Sequence, residues 1–186
     1  MNATGERTRE PVGTIYGERW VRAAGRLDAL PGEVRGPFAR LLAHVEEGWR
    51  HARVLQSAVE AAPSYVDGYS PREVIFYTIE VLVVDLFRWL AHEAADAVPD
   101  LREGVAPPVN LDDVEAESEL LMRYLILTEL SLAHPDAPPE LRARFAEPVA
   151  RLKDWTLGFW RLFRPMERTL VALRLPLSTA DRRRAR

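Results

Sequence analysis

Two glutamates stand inside apolar segments of the sequence. Glu80 is surrounded at helical spacing by aromatic and aliphatic residues, and Glu129 interrupts the apolar run 125–130. A buried carboxylate must be hydrogen-bonded, paired with a cation, bound to a metal or protonated. On neighbouring helices the two groups can approach each other and act as general acid and base, so Glu80 and Glu129 are the candidate catalytic residues. The alternative is that an arginine, an aromatic donor or water satisfies each of them.

Three residues on one flank of a predicted helix have side chains suited to a non-haem metal site. His44, Glu47 and His51 follow each other at i, i+3 and i+7 and therefore share one side of the helix. Two imidazoles and a carboxylate can bind iron or zinc. Because one helix rarely supplies a complete site, a metal here would need Glu80 or Glu129 as a further ligand. The alternative is a salt-bridge network on the surface.

An amide and several aromatic rings are suited to hold an organic ligand. Gln56 lies within the apolar face of its predicted helix, where an amide needs hydrogen-bond partners. Trp155 and Phe159 belong to an aromatic stripe on the last long helix, and Tyr77 adds a ring on another helix. These rings predict a pocket for a flat, apolar molecule. The alternative is that the stripe is hydrophobic core, with Lys153 at its edge placed to neutralise a carboxylate.

Helical periodicity dominates the chain, and no segment alternates for long enough to predict a strand. The spacing predicts four long helices, at 38–62, at 71–97, from 111 or 113 to 134 and at 138–163, and short helices at 17–30 and 165–173. Ser70-Pro71-Arg72-Glu73 forms a complete capping box before the second of the long helices. Pro148 predicts a kink or a break. The expected fold is all-α, an antiparallel bundle of four long helices plus one or two short helices.

The expected organisation is a single helical domain at 15–177 between an N-terminal tail at 1–14 and a basic tail at 178–186. With 28 acidic and 25 basic side chains and a pI near 5.9, the composition argues against a general affinity for nucleic acid. The absence of cysteine excludes disulfides and zinc–thiolate sites. The most apolar window, 74–92, contains Glu80, Asp85 and Arg88, which oppose membrane insertion.

Three functions follow from these features. The first is a small soluble helical protein that binds an apolar or aromatic small molecule in the bundle interior and can transform it by carboxylate acid/base chemistry. The alternative is a non-catalytic module that forms a homodimer, because Ile126, Leu127 and Leu130 lie away from the core face of their helix. The second alternative is a metal-dependent bundle enzyme using His44, Glu47 and His51.

The location expected from the lack of a targeting segment is the cytoplasm. The abundance of alanine, arginine and proline is typical of GC-rich bacterial genomes, in which small helical proteins often serve specialised metabolism.

Overall fold

Helices account for nearly all of the part of the chain that the structure, a computed structural model, describes: residues 17–61, 70–100 and 111–172. The α-helices are α1 (Gly17–Leu27), α2 (Gly32–Glu60), α3 (Pro71–Tyr77), α4 (Asp85–Asp96), α5 (Leu111–Ala133) and α6 (Pro139–Ala172). A π-helical segment, Thr78–Val84, joins α3 to α4 without a break. These ranges contain no strand, so the predicted all-α fold is confirmed. The predicted tails at 1–14 and 178–186 lie outside the described residues.

Four rods form the bundle: α2, the continuous rod at 71–96, α5 and α6. In cross-section α2 packs against α6, α6 against α5, α5 against the 71–96 rod, and that rod against α2. Along α2, His44 stacks near Phe159 of α6, whereas His51 shares a groove with Glu147. The same reversed order joins α5 to α6 through the pairs Ser118–Trp160, Glu129–Lys153 and Leu132–Arg142. Neighbouring rods therefore run antiparallel, as predicted.

The short helix α1 packs against α4. Arg19 forms an ion pair with Asp96 at 3.4 Å, and the Trp20 indole N–H donates to the carboxylate of Glu46 on α2 at 3.0 Å. Since Trp20 and Ala23 are buried, α1 extends the hydrophobic core. None of the helices in the described ranges is sufficiently long and apolar to cross a bilayer.

The 71–96 rod begins as predicted and then departs from α-helical geometry. The Ser70 hydroxyl accepts from the Glu73 backbone N–H at 3.3 Å, and the Glu73 carboxylate accepts from the Ser70 N–H at 3.1 Å, which confirms the capping box. In the π segment the Asp85 N–H donates to the carbonyl of Glu80, five residues earlier. The sequence predicts an uninterrupted α-helix here, so the π segment corrects that prediction and changes which residues face the core.

Two prolines do not interrupt α6. A break at Pro148 and a separate helix from Pro165 are both wrong predictions, because α6 is continuous from 139 to 172. One turn before each proline stands an exposed residue, Arg144 or Arg161. The backbone carbonyl that loses its donor there can bond to water, so each proline costs less than in a buried helix.

The centre of the core is a close contact between α2, α4 and α6. Gly48 is buried against Trp155 and Phe87, and a Cβ atom at this position would lie 2.4 Å from Trp155 Cε2 and 2.8 Å from Phe87 Cε2. The Trp155 ring lies 5.1 Å from the Phe87 ring, centroid to centroid, and its N–H donates to the His44 carbonyl at 2.9 Å. Glycine at position 48 therefore allows Trp155 to pack between the helices.

Candidate functional site

Glu80 lies at the surface of the molecule, and its predicted burial is wrong. The reason is the π segment, which has more residues per turn than an α-helix. The core-facing positions of this segment are Ile79, Val83 and Val84, so Glu80 is rotated out of the apolar face. An exposed carboxylate is solvated and lacks the desolvated environment on which the predicted acid/base role depended.

A small groove between α2 and the π segment contains Glu80 together with Gln56. Its volume is roughly 150 Å³, and Glu60, Asp85 and Arg88 also line it. The Gln56 amide is half-buried and donates to the Glu60 carboxylate at 2.8 Å, so it bonds within its own helix and not inside the bundle. Arg88 pairs with Asp85 at 2.5 Å. The structure brings Glu80 and Gln56 together, but in a groove at the surface and not inside the bundle.

Glu129 is half-buried and paired with Lys153. The lysine Nζ lies 2.5 Å from both carboxylate oxygens of Glu129. The partner of this carboxylate is thus Lys153, the cation that was expected at the edge of the aromatic stripe, and not an arginine, an aromatic donor or water. The predicted approach of Glu80 to Glu129 is wrong, because Glu80 lies between α2 and the π segment, whereas Glu129 lies between α5 and α6 on the opposite side of the bundle.

Of the three aromatic residues predicted to bind a ligand, two lie in the core and one lies at the surface. Trp155 and Phe159 are buried, and their rings pack at 5.5 Å between centroids as part of the core. Phe159 also stacks on Phe163 at 5.6 Å. Tyr77 is 54% exposed at the end of α3. These rings therefore do not line one common pocket, and the alternative of a core stripe describes Trp155 and Phe159.

Of the predicted metal-ligating residues, His44 and Glu47 contact each other, whereas His51 lies apart from them. The His44 ring lies 5.0 Å from the Trp155 ring and nearly parallel to it, while its Nδ1 is 3.5 Å from a carboxylate oxygen of Glu47. His51 lines a separate small groove beside Pro148 of α6. In the ranges that the structure describes, no three histidine, aspartate or glutamate side chains are arranged to hold a metal ion. The three residues thus do not assemble the predicted site.

An acidic cluster between α4 and α5 was not predicted from the sequence. Burial raises the pKa of Glu93, and the negative charge of Asp113 adds to this effect. Burial likewise raises the pKa of Glu117, again with a contribution from Asp113. On the same helix as Glu93, burial lowers the pKa of His92 and the nearby Arg19 lowers it further. The sequence carries no local signal of this cluster, because it depends on the packing of α4 against α5, which places residue 93 near residues 113 and 117.

An apolar groove lies on the surface between α3 and α5. It has a volume of about 470 Å³. Its apolar wall consists of Val74, Ile75, Leu127, Leu130 and Ala137, and Ser131, His134 and Asp136 close one end. Val74, Leu127 and Leu130 are 49%, 51% and 63% exposed. The sequence analysis identified the two leucines as lying off the core face, but not the groove that they form with α3.

Comparison of the chain with known protein families, with curated proteins and with solved structures gives no match. Function is therefore inferred from the residues of the chain itself.

Proposed function

We propose that this protein is a non-catalytic interaction module that forms a homodimer through the α3/α5 apolar groove and the exposed residues beside it. One observation carries the proposal. Five of the nine large apolar side chains exposed in the described ranges belong to α3 and α5: Val74, Tyr77, Ile126, Leu127 and Leu130. A concentration of exposed apolar side chains marks an interaction surface more often than isolated ones do.

Helical spacing makes these five side chains neighbours. Tyr77 follows Val74 by three residues on α3, and Ile126 precedes Leu130 by four on α5, so each pair lies on one side of its helix. Val74 of α3 and Leu130 of α5 both line the groove. Complete burial of a leucine side chain contributes about 1.5–3 kcal/mol, so covering half-exposed leucines on two copies gives a substantial driving force.

The predicted interior ligand site has lost its main support. Its acid, Glu80, is at the surface, and the rings of Trp155 and Phe159 are in contact with other core rings. A dimer needs neither a catalytic pair nor an interior cavity. The formal net charge of −3 per chain also gives little repulsion between two copies.

Sedimentation velocity at tens of micromolar tests the proposal. The wild-type protein is expected to sediment as a dimer, and Leu130→Glu as a monomer, because the new carboxylate would be desolvated in the interface. Leu157→Glu is the matched control, since Leu157 is an exposed leucine on α6, away from the groove. A monomeric wild-type protein, or a Leu130→Glu variant that remains dimeric, would contradict the proposal.

A second candidate is the binding of a small apolar molecule in the same groove. Its favouring observation is the volume of about 470 Å³, which suits a small ligand, together with the polar residues Ser131, His134 and Asp136 at one end. Native mass spectrometry of freshly purified protein would detect a retained molecule and the number of subunits together. Val74→Trp fills the groove, so a ligand bound there should be lost in this variant. A wild-type protein without any retained mass argues against this candidate.

A further inference from the structure

We infer that two copies of this chain pair through α5 in antiparallel orientation, about a twofold axis that passes between Leu127 and Leu130. This inference rests on the proposed function and specifies its partner, which is a second copy, and the arrangement of the two helices. It is carried by the order of residues along the exposed side of α5 and by the charges at its two ends.

One stripe of exposed residues runs along α5. Arg123, Leu127, Leu130 and His134 follow each other at i, i+4, i+7 and i+11, so they occupy one side of the helix and the residue after its end. The two leucines at the centre are 51% and 63% exposed. In an antiparallel pair related by a twofold axis, Leu127 of each copy faces the partner's Leu130. The apolar centre is therefore complementary to itself.

The ends of the stripe carry opposite charges. The Arg123 side chain is 72% exposed at one end, and Asp136 is 81% exposed just beyond the other. Their contacts within the chain are long, 3.9 Å from Arg123 to Glu119 and 3.7 Å from Asp136 to His134. Antiparallel pairing brings Arg123 towards the partner's Asp136, twice in each dimer. Parallel pairing would instead place Arg123 beside the partner's Arg123 and Asp136 beside the partner's Asp136. Both are like-charge contacts and are unfavourable.

Charge reversal tests this arrangement. Arg123→Glu and Asp136→Arg should each raise the dimer Kd about three- to tenfold, because each loses two exposed ion pairs and gains two like-charge contacts. The double variant exchanges the two charges and should restore the Kd to within about twofold of the wild type. Additive weakening in the double variant would overturn the arrangement. Arg151→Glu on α6, whose ion pair with Glu147 lies away from the stripe, is the control.

Disulfide trapping gives an independent test, since the chain has no cysteine of its own. In an antiparallel pair residue 123 faces the partner's residue 134, while the two copies of residue 123 are about 16 Å apart, given a rise of 1.5 Å per residue. That separation exceeds the reach of a disulfide. Arg123→Cys and His134→Cys should therefore form a covalent dimer on mild oxidation only when the two variants are mixed.

The outcomes separate this inference from the proposed function. Two outcomes overturn the antiparallel arrangement and leave the interaction module intact. The first is a crosslink formed by Arg123→Cys alone. The second is a dimeric protein that Leu130→Glu converts to a monomer but that gives no mixed crosslink. A wild-type protein that is monomeric, together with a mixture of Arg123→Cys and His134→Cys that forms no crosslink, overturns both. A mixed crosslink that is absent when Leu157→Cys replaces Arg123→Cys supports the inference.

Discussion

At the scale of single residues, burial destabilises the ionised form of Glu117. This carboxylate has one oxygen that is buried without a hydrogen-bond partner in the described part of the chain, and it follows Asp113 by four residues on α5. Burial and the charge of Asp113 together raise its pKa. A like-charge pair at this spacing destabilises a helix by about 0.2–0.5 kcal/mol.

The first prediction is that Glu117→Gln stabilises the protein at neutral pH. Because its pKa is raised on folding, the folded state binds more protons than the unfolded state in the pH range above the ordinary value of 4.5. The contribution of Glu117 to stability is therefore greatest at low pH and is lost as the pH rises through the raised pKa. The substitution should raise the urea midpoint at pH 7 and change it little at pH 4. Glu119→Gln, on the exposed side of the same helix, is the control; an equal gain from both variants would contradict the prediction.

At the scale of elements, the local start of the 71–96 rod is determined by its capping box. The second prediction is that Ser70→Ala lowers the free energy of unfolding by about 1 kcal/mol, because the Glu73 N–H loses the hydroxyl that accepts from it. Chemical denaturation measures this change. Ser57→Ala, at an exposed position within α2, should be neutral or slightly stabilising, since alanine is the better helix former. A Ser70→Ala midpoint equal to that of the wild type would argue that the cap does not stabilise the rod.

Helix packing gives the third prediction. Gly48→Ala adds a methyl group that overlaps the Trp155 ring, so it should destabilise the protein by roughly 1–3 kcal/mol despite the higher helix propensity of alanine. Gly25→Ala is the matched control on α1, where nothing lies within 4 Å of the added atom, and should gain up to about 1 kcal/mol. The two variants are compared by their thermal unfolding midpoints. A Gly48→Ala protein as stable as Gly25→Ala would show that Trp155 can move aside without cost.

At the scale of the whole molecule, assembly through α5 couples folding to protein concentration. The fourth prediction is that the Tm of the wild-type protein rises by about 1–3 °C for each tenfold increase in concentration, since association stabilises the folded state by mass action. The Tm of Leu130→Glu should not depend on concentration. Calorimetry over a hundredfold range measures both. A wild-type Tm that stays constant over this range would count against assembly through the groove.

Local chemistry and periodicity allowed much of the fold to be predicted. The capping box at Ser70 is formed by residues three positions apart, which the sequence displays directly, and helical spacing located the ends of α5 to within two residues. The exposure of Ile126, Leu127 and Leu130 also followed from spacing alone, because α5 is a regular α-helix. The position of Lys153 at the edge of the aromatic stripe also predicted that it could pair with a carboxylate, which is Glu129 in the structure.

Only the tertiary structure determined where the other candidate residues lie. Glu80 is exposed because a π segment, which ordinary helical spacing does not reveal, changes the face on which it lies. Glu93 and Glu117 approach Asp113 because α4 and α5 pair in antiparallel register, and the groove at Leu130 exists because α3 packs beside α5. Helical periodicity specifies the faces of one helix, whereas the contacts that form a site depend on the packing of several helices, and packing is a property of the whole bundle.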